Sequence, residues 1–386
     1  LSLAVLLVQS GFHAYTAAMP LAFARAGVAD AVIGLIMGVA AVVQIPAALV
    51  GGRLVDAFGG TRLFTLGGLA YLVATLVVLL PGVDVDGQLA PFVVVRILQG
   101  AGIALVLPAA LALVPRLVDA SGLAKGLSIV GAAQNLTLVL APPISIAILA
   151  RAGLDGVALA VVGVVIVGIL LGQRLPLRPV APAASTLAAA TRRFGITYRR
   201  TWTVPLLITV SYVAHWGAVT AYLPIRAEQA GADIGLYFVA DGIAIFLMRV
   251  PTGWLVDRVT SRLLILVGAG MTAVAIGMLL LPLTTPLLIA SGLLGGAGGG
   301  IVLTPITVEL SRRSSDADRG SAFSLLSGGL AAAMTIGSIG GAPIVAVLGL
   351  SAALVMGIVL IAVAMALAIS DPSLATKGRA VPAAVG

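Results

Sequence analysis

No cysteine occurs among the 386 residues, so the chain forms neither a disulfide nor a thiolate metal site. Only two histidines are present, His13 and His215, which leaves little material for a metal centre. Charge is scarce as well: Asp, Glu, Lys and Arg make up 9% of the residues and aromatics 5%. A Gly-Lys-Ser nucleotide loop, a paired-histidine zinc motif and a Gly-x-Ser-x-Gly elbow are all missing. These absences argue against an enzyme and against ATP-driven work. We therefore expect no cofactor and no metal.

What is present is apolar. Hydrophobic residues reach 60% and the mean hydropathy is strongly positive, which places the chain in a membrane. A soluble protein of this length could not hide that much apolar surface. A helix needs about 20 apolar residues to cross a bilayer. On that ruler twelve spans are expected: 1–23, 31–55, 62–82, 89–113, 124–149, 155–174, 203–225, 235–256, 262–282, 285–309, 320–347 and 350–370. Spans this long must satisfy their backbone hydrogen bonds internally, so they are helices. The expected fold class is an all-α membrane protein with two six-helix bundles. No secretory signal is visible, and the chain starts inside an apolar run without Met, which leads us to expect a trimmed N-terminus.

Charge then orients the spans. With the N-terminus inside, all but five of the 22 Lys and Arg fall on the cytoplasmic side. The exceptions are Arg25, Arg151 and Arg226 in opposite loops, with Arg96 and Arg249 inside helices. This is the positive-inside pattern, and it predicts both termini in the cytoplasm of a bacterial-type inner membrane. The net charge of +8 would point to nucleic acid in a soluble protein. Its placement along one face makes the bilayer the partner instead, with no nucleic acid.

Residues 1–174 and 203–370 read as two bundles, joined by a basic linker, 175–202, and followed by a cytoplasmic tail, 371–386. The linker contains Arg192, Arg193, Arg199 and Arg200 and no acid, as suits a segment lying on anionic headgroups; a regulatory or partner site is the alternative. The halves repeat. Pro20 and Gly27 end the first helix and its loop, and Pro224 and Gly231 do the same for the seventh. Gly52-Arg53-Leu54-Val55-Asp56 leads through Gly59 to Arg62, and Gly253-Trp254-Leu255-Val256-Asp257-Arg258 leads to Arg262.

That pair of stretches resembles the loop signature of the major facilitator superfamily, G-x-L-x-D-basic-x-G-basic-basic, with Ala57 and Gly60 where basic residues are usual and Thr260 where Gly is usual. Arg96-Ile97-Leu98-Gln99-Gly100-Ala101-Gly102 is similar to the family's R-x-x-q-G-x-g motif in helix four. Pro20, Tyr222-Leu223-Pro224, the run Arg249 to Arg258, and Arg319-Gly320-Ser321-Ala322 resemble one subgroup, the arabinose-efflux-like exporters of sugars, drugs and metallophores. The resemblance implies two parallel six-helix repeats around a central cavity, working by alternating access. It also implies that Gly52, Asp56, Gly59, Arg62, Gly253, Asp257, Arg258 and Arg262 form gating loops, and gives Arg96 a role in the transport cycle. Ala141-Pro142-Pro143 and Gly340-Gly341-Ala342-Pro343 are expected to kink helices five and eleven.

Ionisable groups inside spans are functional candidates because they are costly there. They are Asp241, Arg96, His13, His215 and Arg249, with Glu309 near an edge. Asp241 is the acid placed well inside a span, either a proton or substrate group or an inter-helix hydrogen bonder. Arg96 has a structural alternative too, bonding carbonyls or Gln9. Each His is a titrating or ligand-binding group or a satisfied hydrogen bonder. Around them Gln9, Tyr15, Tyr212, Trp216 and Tyr222, with Gln134 and Asn135 on helix five, suit an amphipathic organic solute or ordinary packing. Gly295 to Gly300 on helix ten reads as close helix packing.

The function expected is a monomeric secondary transporter of a small organic solute, with proton-coupled efflux. The alternatives are an uptake symporter for a sugar or organic acid, and a transport-inactive sensor or scaffold.

Overall fold

The computed structural model describes residues 1–85, 87–119, 123–176, 198–315 and 318–376, without the side chains of residues 51–53, 56–57, 123–125, 128 and 319. Most of the linker and tail, including Arg178, Arg192, Arg193, Lys377 and Arg379, therefore lies outside the described residues, as do the side chains of Arg53, Asp56, Lys125 and Arg319. The described elements are helices: α1 Ser2–His13, α2 Tyr15–Arg25, α3 Asp30–Phe58, α4 Gly60–Val78, α5 Ala90–Leu113 and α6 Leu123–Gln173. They continue as α7 Thr203–Gln229, α8 Ile234–Leu255, α9 Ser261–Met278, α10 Thr285–Arg312, α11 Arg319–Ser338, α12 Gly341–Leu348 and α13 Leu350–Ser370.

Ten of these segments are long and apolar enough to span a bilayer, and one of them, Ile129–Gln173, has 45 residues. That segment breaks at Gly153, where φ is 65° and ψ −169°. α1 and α2 meet at Ala14, whose own dihedrals are helical, so together they make one more span. The architecture is consistent with the twelve spans expected.

Two helix ends make the internal repeat visible in backbone bonds. Gly27 has φ 75° and Gly231 φ 65°. At the first, Val28 N donates to Phe23 O at 3.0 Å; at the second, Ala232 N donates to Ala227 O at 2.9 Å. Gly27 N bonds Ala24 O, and Gly231 N bonds Glu228 O. Both ends are Schellman turns, which satisfy orphan carbonyls and favour glycine because its φ is positive. Pro20 and Pro224 differ from expectation: each lies inside its helix, which runs on to Arg25 or Gln229. In a membrane helix, neighbouring groups re-satisfy the bond that proline removes.

The stretch expected to turn between the second and third spans is also helical almost throughout. α3 continues to Phe58 and α4 begins at Gly60, leaving Gly59 (φ 85°, ψ 145°) as the connector. Its counterpart is longer. α8 ends at Leu255, and Thr260 caps α9 by accepting a bond from Leu263 N. Of the two expected kinks, the eleventh span does break, between α11 and α12, four residues before Pro343. Pro343 cannot donate to the Ile339 carbonyl and its ring crowds it. α6 stays helical through Pro142 and Pro143, where the Ser145 hydroxyl donates to the Pro142 carbonyl at 2.8 Å.

Contacts divide the chain into two units: Leu1–Val28 with Val39–Ile196, and Ala29–Gly38 with Thr197–Gly386. In the first, α4 packs on α5 and α6, and α1 on α6. In the second, α10 packs on α8 and α9, while α11 and α13 flank α7. Glycines set the closest approaches. Gly100 lies against the Ala40 backbone in the first unit, and Gly292 and Gly296 of the glycine-rich α10 lie against the Tyr237 and Asp241 carbonyls in the second. Small residues of this kind let helices pack without a hydrophobic driving force.

Candidate functional site

In the first unit a polar cluster forms among α1, α4 and α5. Gln9 and His13 come from α1, Tyr71 from α4, and Arg96 and Gln99 from α5; all are buried. The Tyr71 hydroxyl donates to Gln9 Oε1 at 2.9 Å, and Arg96 Nη1 donates to Gln99 Oε1 at 2.7 Å. Arg96 thus bonds one turn along its own helix, where an i, i+3 neighbour is in reach, while Tyr71 occupies Gln9. The Arg96 guanidinium also lies 5.2 Å from the Phe12 ring centre, a cation–π contact. On the same ring, the His13 edge stands at 5.2 Å. Neither ring nitrogen of His13, nor the amide nitrogens of Gln9 and Gln99, has a partner among the described residues. Tyr15 and Thr16 open α2 two and three residues after His13; both are buried, and neither hydroxyl has a partner among the described residues. Gln134 and Asn135 are half-buried on α6, outside these bonds.

The second unit holds a matching cluster. The Tyr212 hydroxyl on α7 lies 2.8 Å from Thr272 Oγ1 on α9. Thr272 spends its own proton on the Gly268 carbonyl at 3.0 Å, so Tyr212 is the donor. His215 Nδ1 faces the Tyr212 carbonyl, which makes Nδ1 the protonated nitrogen and leaves Nε2 as an acceptor. The imidazole edge rests on the Tyr212 ring, centroids 4.9 Å apart, and Gly357 of α13 lies against its Cβ. Trp216 is half-buried and meets Phe238 edge-on at 6.2 Å. Tyr222 is buried and donates to the Ser338 carbonyl at 2.5 Å.

Asp241 differs from its neighbours. Only 5% of its surface is exposed. Its backbone carbonyl lies against Gly296, and its Oδ1 faces Gly295, two glycines of α10 that leave the space beside the carboxylate open. Among the described residues nothing donates to or pairs with that carboxylate. Arg249, two turns further along α8, is exposed and makes no ion pair with it.

At the basic ends of the helices the second unit carries an ionic network. Asp257 accepts from Arg312 Nη2 at 2.9 Å. Glu309 is buried, accepts from the Ser261 hydroxyl at 2.7 Å, and lies 3.5 Å from Arg312 and 3.6 Å from Arg313. Arg313 Nη1 donates to the Asp371 carboxylate at 3.0 Å, and Arg262 Nη2 donates to the Asp371 carbonyl at 2.8 Å. Trp202 Nε1 completes the set by donating to the Arg313 carbonyl at 3.1 Å. Burial pushes the Asp371 carboxyl up, but bonds from Ser373 and the Arg313 charge outweigh it and leave the group below its ordinary value. The Ser315 hydroxyl, then Arg199, hold the Asp318 carboxyl below the usual range as well.

Asp257 and Arg262 of the expected gating group thus take part in this network. Arg258 and Arg62 have no side-chain partner among the described residues, Gly253 faces open space, and Gly59 is the α3–α4 connector. Gly52 and Asp56 lie among the residues whose side-chain surroundings are not described. Sequence reasoning passed over Tyr71, Thr272, Ser261, Arg313 and Asp371. A Glu three and four residues before two Arg at a helix end was a usable signal for part of the network. Nothing in sequence pairs Asp371 with Arg313. No cluster of three metal-ligating side chains exists among the described residues.

No curated protein matches the chain by sequence. Among solved structures, a peptide transporter POT in complex with alafosfalin aligns with a TM-score of 0.68 at 18% identity, covering 95% of each chain. The xylose transporter XylE from E. coli, inward open, aligns at 0.70 and 15% identity over 94% of each chain. The human organic anion transporter MFSD10 (TETRAN) aligns at 0.67 and 15% identity, over 95% of this chain and 98% of that one. At such identities these likenesses show the fold alone. A sequence profile of the Major Facilitator Superfamily, however, matches residues 1–233 and 206–383, nearly the whole length. The chain belongs to the Major Facilitator Superfamily, a family of membrane transporters and not of enzymes.

Proposed function

We propose that this transporter is a secondary active exporter that moves a small organic solute by alternating access and exchanges it for protons. The observation that carries the reading is the Asp241 carboxylate, buried in α8 beside glycines and without a cation or donor among the described residues. An ionised acid is expensive within a span unless something compensates it. A proton is the simplest compensation, and one that comes and goes is a coupling device. His215 and Tyr212 in the same unit, and His13 and Arg96 in the other, supply further polar groups for the cycle. Their apolar surroundings suit an amphipathic solute better than a sugar, which would want more hydroxyl partners.

In this reading residues 1–174 and 203–370 are the moving halves, 175–202 the linker and 371–386 the tail. The protein works as a monomer in a bacterial-type inner membrane with both termini cytoplasmic, as the distribution of Lys and Arg supports. Asp257, Arg258, Arg262 and Arg62, with Gly52, Asp56, Gly59 and Gly253, belong to the gating loops.

The test is a fluorescent pH record in everted vesicles energised by respiration, with a panel of drugs, sugars and metallophores added in turn. A compound that dissipates the gradient with the wild type but not with Asp241→Asn supports proton-coupled export through that carboxylate. If no compound does so while intact cells accumulate a labelled panel member, the protein is an importer and the proposed direction is wrong.

A further inference from the structure

A cavity of about 350 Å³ opens where α4 begins and α6 ends, lined by Thr61, Arg62, Thr65, Leu66 and Gln173. Gln173 Nε2 donates to Thr65 Oγ1 at 3.2 Å and ties the two helices together at its floor. Arg62 is exposed and Arg174 follows Gln173 directly; neither guanidinium has a partner among the described residues. The first turn of α4 carries no acid, and Gly59 provides no side-chain cap. The cavity is therefore cationic, and among the described residues no acid pairs with Arg62.

The second unit shows what neutralisation looks like at the repeated position. There the residue directly after the last span is Asp371, where the first unit has Arg174 directly after α6. Asp371 takes Arg262 on its carbonyl and Arg313 on its carboxylate. The first unit has the guanidinium of Arg62 in the place of Arg262 but a second cation where the acid stands. Exchanging an internal acid for a cation leaves room for an external anion.

The surface around the cavity identifies the source of that anion. Leu66, Leu69, Val73 and Leu76 run down one side of α4, 51%, 41%, 48% and 45% exposed, as a helical stripe leading away from Arg62. On α6, Val167 and Leu170 are 49% and 53% exposed. Guanidinium, hydroxyl and amide groups at a span end, with a continuous apolar face below, match a phosphate headgroup above its acyl chains. A free phosphate would have no use for the stripe.

We infer that the cavity between the start of α4 and the end of α6 binds the phosphate of an anionic phospholipid, with Arg62 of its lining and Arg174, next in the chain to the lining Gln173, as its cations, and with the Thr61 hydroxyl and the Gln173 amide as further donors; the Thr65 hydroxyl is already given to the Thr61 carbonyl. Basic pockets between membrane helices are suited to such headgroups. The lipid ties the ends of α4 and α6 in the first unit, as Asp371 ties α9 to the end of α10 in the second.

The test is native mass spectrometry of the full-length protein, delipidated in detergent and titrated with phosphatidylglycerol or phosphatidylcholine. Phosphatidylglycerol is expected to bind the wild type and phosphatidylcholine not. Each of Arg62→Ala and Arg174→Ala should weaken binding about fivefold, as befits a surface cation near an anionic lipid. Arg174→Asp, which copies the second unit, should abolish it. Arg62→Lys keeps the charge and should retain binding, which separates a lost charge from a lost fold; Arg200→Ala, in the second unit, should change nothing. Equal retention of phosphatidylglycerol by the wild type and the Arg62→Ala/Arg174→Ala double variant overturns the site. Displacement by excess glycerol phosphate overturns the lipid as its occupant and makes it a pocket for soluble phosphate.

Discussion

Arg313 donates to the Asp371 carboxylate at 3.0 Å, and so fastens the segment after α13 to the end of α10. Arg313 is nearly buried, and its other contacts are the Thr201 carbonyl, Glu309 and the Ser373 hydroxyl. Asp371→Asn removes the charge and keeps the shape. It should cost about 1–3 kcal/mol, the range for leaving a charged donor poorly matched, as read from thermal melts in detergent. Because Asp371 titrates below its ordinary value, its contribution is full above the unfolded carboxyl value of about 3.9 and fades as pH falls through the folded one. The gap between wild type and variant should thus be constant near neutrality and close in acid.

Gly27 and Gly231 terminate equivalent helices with φ of 75° and 65°. An alanine forced into that region pays about 1–2 kcal/mol, and nothing within 4 Å of either glycine would add a clash. Gly27→Ala and Gly231→Ala should therefore destabilise by equal amounts, and the double variant by their sum. Unequal losses in thermal melts would count against the structural equivalence of the two turns.

Gly296 meets a backbone carbonyl, not a side chain. A methyl group at that position presses on Asp241 O, and backbone cannot swing aside as a side-chain end can. Gly296→Val should cost about 1–3 kcal/mol through overpacking and displace the Asp241 carboxylate. Gly299→Ala, in a roomier place beside Tyr212 and Ile245, should be tolerated. Comparison of melting temperatures and of proton-coupled transport in the two variants tests both statements.

Tyr71 and Gln9 form a bond between α4 and α1 that a double-mutant cycle can weigh. Tyr71→Phe, Gln9→Leu and the pair should give a coupling of about 0.6 kcal/mol, and below about 1.7, because the unfolded chain in a membrane also finds partners. A coupling indistinguishable from zero in denaturant titrations would mean that the bond is not maintained.

Much of the scaffold was legible because the bilayer makes a simple demand of length and apolarity. The spans, the repeat of Gly27 in Gly231, the glycine-rich face of α10 and the break before Pro343 all follow from local chemistry. The helix ends were harder. A polar stretch with two glycines reads as a turn, yet α3 keeps its hydrogen bonds to Phe58 and turns on Gly59. For Arg96 the sequence suggested carbonyls or Gln9 as bonding partners and missed Gln99 on its own helix, which it reaches while Tyr71 bonds the Gln9 oxygen. The Arg313 network was out of reach for a different reason. Its members come from the turn before α7, the loop after α8, α9, the end of α10 and the segment after α13, and no periodicity relates residues so far apart in the chain.

The one-residue connector at Gly59 also has a mechanical consequence. Two torsion angles join α3 to α4, so a rotation at the end of one helix is handed to the other almost undiminished, as through a crank. The corresponding stretch after α8 runs through Val256, Asp257, Arg258 and Val259 to Thr260, and is held by its own turn bonds and by the Asp257–Arg312 pair. The two halves copy each other in the Schellman turns at Gly27 and Gly231 but not in this connector, which is one residue in the first and five in the second.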